Sequence, residues 1–479
     1  MSARRDAGAL AIVLHTHMPY VEGFGTWPSG EEWLWEAMAG CYLPLLELLE
    51  QDAAITLSLT PVLCDQLEAS GGDERFEAFI EQVRADTHAQ DIAGLRAAGE
   101  ERLAKELELS WEDYSGALRS FRARERDLLA AFAPYAQWTS SATHAVLPLL
   151  ASDAGVAEQV RSGIRSHRRR FGGDWRGGFW LPECGWSPWI ERRLQAEGVA
   201  AVCVELTGAL GLGAREHLRP LRSPSGLVLV PIDRQTISLV WSERGYPAAG
   251  AYRDYHHHTI HHHNPWNNAG DAYDRAAARA LAREHAADFV ARAKARLRDA
   301  AGSAPGGGLI TCALDTELLG HWWFEGVEWL RAVVEQCEQQ QLPLLRLDDA
   351  LERFEPLPLE TSGLPAEPSS WGRDGDLSTW SGPQVAEMAF VARAGELRVL
   401  AAGRDASPQA VRELLALQAS DWPFMVTRGL AGPYPAERFA GHRDQLTAAL
   451  AATDGGGAAN GGATRNIAPD ADGAALLEP

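Results

Sequence analysis

Seven short apolar runs constrain the fold of this chain more than any other feature. They are AIVLH (11–15), AITLSLT (54–60), FWLPEC (179–184), AAVCVE (200–205), LVLVPI (227–232), LITCALD (309–315) and LPLLRL (342–347). Most are continuous, strand-length and bounded by polar residues or glycine, as strands buried on both faces are. Helix-like stretches such as Pro188–Gly198 and Ala276–Arg298 lie between several of them. Strands alternating with helices predict an α/β fold around a parallel sheet, either open or closed into a barrel. Several runs stop at a residue able to do chemistry: His15 and His17, Glu183, Asp315. Such residues at the C-terminal ends of many strands favour a barrel.

At 479 residues the chain exceeds one simple core, so a large domain with smaller units is expected. Residues 1–350 read as the barrel, interrupted at about 65–135 by a charged, helix-rich insertion. Residues 351–370 include EPLPLETSGLPAEPSS and read as a proline-rich connector. Helical patterns at 383–402, 407–419 and 434–451 predict a helical C-terminal domain over 371–452. The Gly/Ala/Asp-rich stretch 453–479 reads as a disordered tail.

Charge and cysteine spacing narrow the function. The formal net charge of −21 disfavours a nucleic acid or an anionic membrane as partner and suits a neutral substrate. Cys41, Cys64, Cys184, Cys203, Cys312 and Cys337 form no CxxC pair, which argues against a zinc ribbon and for buried free thiols. No apolar run reaches membrane-spanning length and no convincing signal peptide opens the chain, so a cytoplasmic location is expected. Tryptophan outnumbers tyrosine 17 to 9, and many indoles sit beside Gly, Pro or polar residues, as in HNPWNN, GHWW, SSWGRDGDLSTW and SDWPF. That placement suits ring faces on which a sugar can stack.

Glu183 follows an apolar strand and has Trp180 and Trp186 as neighbours; Asp315 ends another strand, with Glu317, His321, Trp322 and Trp323 behind it. Two carboxylates from two strand ends in aromatic surroundings are the minimum for glycoside chemistry, one as nucleophile and one as general acid/base. A salt-bridged strand terminus for Glu183 and a helix cap for Asp315 are the structural alternatives. The HxH pair permits a rival: with His144 and Asp315 it would make a mononuclear zinc hydrolase site. The run HHHTIHHH (256–263) reads as a surface loop without a ligand geometry of its own.

Taken in order, four segments resemble the motifs of glycoside hydrolase family 57: HTHMPYV, TSSATHAVLPLL, FWLPECGW and ALDTELLGHWW. VWSERGYP (240–247), SSWGRDGDLSTW (369–380) and SDWPF (420–424) are most similar to segments of its α-1,4-glucan branching enzymes. The resemblance spans about residues 9–450 and implies a (β/α)7 barrel, an incomplete relative of the TIM barrel, acting on an α-glucan without a cofactor or metal. It implies Glu183 as nucleophile and Asp315 as acid/base. His15, His17 and His144 would line the reacting glucose. Trp266, Trp322, Trp371, Trp380 and Trp422 would supply stacking surface, and Tyr246 would sit on a mobile loop over the cleft. Trp180, His321 and Asp421 complete the expected binding set. The implied reaction is double displacement that makes α-1,6 branches; α-amylase or 4-α-glucanotransferase activity would use the same pair. The chain departs from the branching-enzyme pattern in the order of Asp233–Arg234 and in YRDYHHHTIHHH (252–263), both in the acceptor and loop region.

Overall fold

The computed structural model describes residues 8–25, 29–300, 307–359, 368–453 and 466–477. Its centre is a curled sheet. The strands are β1 (Gly8–Thr16), β2 (Thr56–Leu59), β3 (Ala136–Ser140), β4 (Gly178–Trp180), β5 (Ala201–Val204), β6 (Leu221–Arg222), β7 (Val228–Pro231), β8 (Gly308–Asp315) and β9 (Leu357–Pro358). Their order is β8-β1-β2-β3-β4-β5-β7-β6-β9. The seven from β8 to β7 pair in parallel, and β6 and β9, parallel to each other, run antiparallel to them beyond β7. This is the incomplete (β/α)7 barrel. The Asp233 N–H donates to the Thr311 carbonyl at 2.9 Å across the gap between the end of β7 and β8.

The strands form where apolar side chains can be covered on both faces. Every residue of β1 is buried, with helices outside and the barrel interior inside. β1 pairs with β8 in a register that sets His15 opposite Asp315, which brings two chemistry-bearing strand ends side by side. Run 342–347 is no strand: it contributes one bridge, Leu344 to Leu10, before a helix at Leu347–Arg353. β3 was not among the apolar runs, because Trp138 is its one large apolar side chain.

Six longer helices are used below: α1 (Ala85–Ala97), α2 (Glu101–Ala123), α3 (Asp153–Phe171), α4 (Arg275–Ala300), α5 (Ala386–Ala402) and α6 (Pro408–Leu417). α1 and α2 lie in the stretch 65–135. α5 and α6 are followed by α7 (Asp421–Arg428) and α8 (Tyr434–Thr453). These last four helices share a core of Val399, Leu414, Leu415, Leu417, Trp422 and Leu446. They dock on the C-terminal ends of the strands. The Ser420 N–H donates to the His144 carbonyl at 3.0 Å, and Gln159 of α3 donates to Gln418 at 3.0 Å.

The disordered tail expected over 453–479 is corrected for residues 466–477, which lie packed against the protein. Asn466 N donates to Glu22 and Ala468 N to Asp65, each within 2.8 Å. Gly473 N and Ala475 N donate to the buried carboxylate of Glu158 on α3, both at 3.2 Å. Composition misled here because small residues that look unstructured are the ones that let a backbone lie close to buried acids. Residues 454–465 of that stretch, and 360–367 of the connector, lie outside the described residues.

Removing everything after Thr453 leaves Glu158 and Asp65 buried with fewer donors, at about 1–3 kcal/mol each. For a chain of this size the melting temperature is then expected to fall by about 3–5 °C. Calorimetry of the truncated protein measures it; an unchanged transition means that residues 466–477 add nothing to stability.

Candidate active site

The strand ends converge at the barrel mouth, and Glu183 is the residue most tightly held there. After β4 the chain turns through Pro182–Cys184, with Glu183 at φ 61° and Cys184 at φ 50°. Left-handed backbone at two successive non-glycine residues is strained, and such strain clusters at sites that need a side chain aimed. The turn is fixed by Cys184 N to Leu181 O and Gly185 N to Pro182 O, at 2.8 and 2.9 Å. Both carboxyl oxygens of Glu183 then receive donors from the C-terminal part of the chain. Trp371 Nε1 donates to Oε2 at 2.8 Å and Ser420 Oγ to Oε1 at 2.9 Å. Trp371 also donates its backbone N–H to the Glu183 carbonyl at 3.0 Å. Burial pushes the Glu183 carboxyl up, and the two donors restrain that rise.

Asp315 differs. Among the described residues its carboxyl oxygens accept no protein hydrogen bond. Burial pushes its pKa well above the usual carboxylate range, helped by Glu317 and Glu183. The environments of the two neighbouring acids therefore differ: burial raises both, but Glu183 alone has donors on its two oxygens that favour its charged form.

The histidines fill the space between them. His15 Nε2 and His144 Nε2 are 2.8 Å apart, His144 Nδ1 is 2.8 Å from Ser420 Oγ, and His15 Nδ1 is 3.4 Å from Ser58 Oγ. Burial, then the neighbouring His17, holds both rings well below the ordinary histidine pKa, so they are neutral. His17 is the opposite case. Burial opposes its charge, but Asp421, Glu317 and Glu183 outweigh that and raise it. Its Nε2 lies 2.8 Å from Asp421 Oδ1. Glu317 accepts from Tyr42 Oη at 2.6 Å, and burial pushes it up to about 7.

Among the described residues His17, His144 and Asp421 are the group whose ligand atoms could surround a metal ion. The His17 and His144 rings, however, stack at 3.8 Å with 18° between planes. Nitrogen lone pairs lie in the ring plane, so stacked rings aim them side by side rather than at one point. Both nitrogens of each ring already have partners.

The structure brings Glu183, Asp315, His15, His17, His144, Trp180, Trp371 and Asp421 to one place. Trp180 stacks on His15 at 4.6 Å and meets Trp371 edge-on at 5.2 Å. His321 and Trp322 stand further along the loop after β8. Trp322 is exposed and tilts against the exposed Trp241 at 5.6 Å, while His321 meets Tyr255 edge-on.

The remaining expected residues are placed elsewhere. Trp422 is fully buried in the helical core, donating to the Ala416 carbonyl at 2.9 Å. Trp380 is buried with Val146 and Leu377. Neither offers a ring face to a ligand. Trp266 is covered by the His257 ring at 3.8 Å. Tyr246 is no loop tip: its hydroxyl donates to Asp288 of α4 at 2.8 Å and its ring stacks on His285. Run 256–263 is a surface loop only in part. His263 is buried against His88, and Asp91 of α1 lies 2.6 Å from His261 and 3.2 Å from His263. All six cysteines are buried and free.

Ser420, Glu317 and Trp241 were not in the expected set. All three lie within segments already singled out, Ser420 at the head of SDWPF. Ser420 is 237 positions from the carboxylate it touches, and no local pattern announces that contact.

A parallel barrel with buried acids and aromatic rings gathered at its mouth is the architecture of an enzyme that works on glycosidic bonds. The chain belongs to glycosyl hydrolase family 57, whose family model matches residues 11–360. A second model, described as the C-terminal region of 1,4-alpha-glucan branching enzyme, matches residues 386–465. The chain is 30% identical to the 1,4-alpha-glucan branching enzyme of Thermococcus kodakarensis, over 90% of this chain and 71% of that one. Among solved structures, a family 57-type branching enzyme from Pyrococcus horikoshii superposes with a TM-score of 0.85 at 31% identity, covering 91% of this chain and 88% of that one. The alpha-amylase AmyC of Thermotoga maritima superposes with a TM-score of 0.79 at 25% identity, with 94% of both chains covered.

The charge balance around His17 is testable. Replacing Asp421 by Asn removes its chief negative neighbour, so the His17 pKa is expected to fall. Titration of the histidine ring signals by NMR measures it; an unmoved His17 would show that Asp421 does not hold its charge.

Proposed function

We propose that the chain is a retaining α-glucan transferase, a 1,4-α-glucan branching enzyme. Glu183 attacks the anomeric carbon of an α-1,4-linked glucan while Asp315 protonates the departing 4-oxygen. The glucosyl group is then carried on Glu183. Asp315, now ionised, takes the proton from the 6-hydroxyl of an acceptor glucan. That oxygen attacks the anomeric carbon, Glu183 departs, and an α-1,6 branch results. On this reading the free Oδ2 of Asp421 is the group that hydrogen-bonds the reacting glucose, His15, His17 and His144 form the wall behind it, and Trp371 and Trp322 supply ring surface nearer and further along the donor or acceptor path.

The observation that carries this reading is the unequal treatment of the two acids. Glu183 has a donor on each oxygen, which keeps an anion oriented; Asp315 has none among the described residues and favours its protonated form. The branching outcome draws on the match of residues 386–465 to a branching-enzyme C-terminal region, the part of the chain that supplies Ser420. Similarity to an alpha-amylase over nearly the whole chain supports a second reading, in which water is the acceptor. What separates the two is exclusion of water at the second step, not the carboxylates. A cytoplasmic location is part of the proposal; among the described residues no helix is long and apolar enough to cross a membrane.

Incubation with amylose, with α-1,6 linkages counted by proton NMR and reducing ends assayed in parallel, decides the acceptor. Branch signals with few new reducing ends are expected; reducing ends without branch signals would replace transfer by hydrolysis. Glu183→Gln is expected to lower kcat by about 10³-fold or more with the fold intact. Asp315→Asn is expected to lower it about 10²–10⁴-fold and to abolish the basic limb of the pH profile, since that limb reports loss of the acid proton. Full activity in Glu183→Gln would end the proposal.

A further inference from the structure

Five side chains from separate parts of the fold form one hydrogen-bonded row that ends on Glu183. The row runs Ser58 Oγ, His15 Nδ1 at 3.4 Å, His15 Nε2 to His144 Nε2 at 2.8 Å, His144 Nδ1 to Ser420 Oγ at 2.8 Å, and Ser420 Oγ to Glu183 Oε1 at 2.9 Å. Apart from Glu183 itself, all its members are at least 97% buried. Water is thus kept from most of the row, and each proton in it has to be accounted for.

The count has one solution when Glu183 is ionised. A carboxylate oxygen only accepts, so the single Ser420 hydroxyl proton points at Glu183. Ser420 Oγ is then the acceptor for His144, which must carry its proton on Nδ1. Neutral His144 therefore has a lone pair on Nε2 and accepts from His15. Neutral His15 carries its proton on Nε2, and its Nδ1 accepts from Ser58. Reversing any one bond would set two protons or two lone pairs face to face.

We infer that Ser420 is a positioning residue for Glu183. It delivers one oriented donor to the carboxylate, and the His15–His144 pair holds that hydroxyl so that it cannot turn away. The inference rests on the reading of Glu183 as nucleophile. Ser420 is well placed for the task. It immediately precedes α7, and its backbone N–H is itself fixed on the His144 carbonyl at 3.0 Å. His144 is in turn held at φ 60°, so neither partner of the Ser420–His144 bond can relax by simple rotation of its backbone. Trp371 serves the other oxygen from a different segment, which leaves Glu183 one orientation with both bonds made.

A donor to the charged form favours that form, so its removal raises the pH at which Glu183 ionises. The charged and titratable groups facing Glu183 are His144 after β3, His17 after β1, Asp421 of α7, Asp315 of β8 and the adjoining Cys184. Ser420→Ala leaves all of them in place. Its acid limb of kcat/KM is expected to move up by about one pH unit and its kcat to fall about tenfold, as loss of a hydrogen bond to a charged group implies. KM should stay within about twofold. Ser420→Thr, which keeps the hydroxyl, should return the acid limb to its original place.

Two controls separate the possible failures. Full activity in Glu183→Gln removes the reading on which the inference rests. An inactive Glu183→Gln together with an unmoved acid limb and kcat in Ser420→Ala removes the inference alone. Nitrogen-15 NMR of the histidines tests the row without any variant, and so holds even if Ser420→Ala misfolds. His144 protonated on Nδ1 and His15 on Nε2 is the expected pair of tautomers; either ring in the other tautomer, with Glu183 ionised, overturns the inference.

Discussion

The structure depends on how a buried carboxylate at the end of β4 finds its donors. The strand and its turn provide none for the side-chain oxygens of Glu183; both come from residues nearly two hundred or more positions later. Burying an acid without donors is unfavourable enough that the chain around it must supply them. That requirement joins the barrel to the helices α5–α8. Arg234 extends the arrangement: its guanidinium bonds Glu205 beyond β5 at 2.8 Å and the Trp371 carbonyl at 3.1 Å. The backbone that carries the indole on Glu183 is thereby tied to the ends of β5 and β7.

Around that point the electrostatics are set by unequal burial costs. Asp315, Glu317 and Glu183 are crowded together beside His17, and burial raises the pKa of all three acids. Asp315, without a donor among the described residues, is driven well above the carboxylate range, and Glu317 is pushed up to about 7. His15 and His144 stay uncharged and act as oriented dipoles. Had they been protonated, they would have competed with His17 for the same carboxylates.

The barrel was legible in the sequence because strands buried on both faces are nearly all apolar and stop abruptly. His15, Glu183 and Asp315 could be found for the same reason: each is the first polar residue where an apolar run ends. The tryptophans were less legible. An indole flanked by Gly, Pro or Asp reads the same whether its face meets solvent, as in Trp322, or a helical core, as in Trp422. Only the tertiary neighbours decide. Tyr246 illustrates this again, since its distance from Glu183 in the chain gives no hint that Asp288 would capture its hydroxyl. The contacts of Ser420 and of residues 466–477 were invisible because they are set by folding across the whole chain, not by local pattern.

The order in which donors arrive has a consequence for biosynthesis. All seven parallel strands are complete by Asp315. A nascent chain that has emerged to that point holds Glu183 without Trp371 or Ser420, and α3 without the segment 466–477 that contacts Glu158. Synthesis thus delays the finished mouth until Trp371 and Ser420 have emerged.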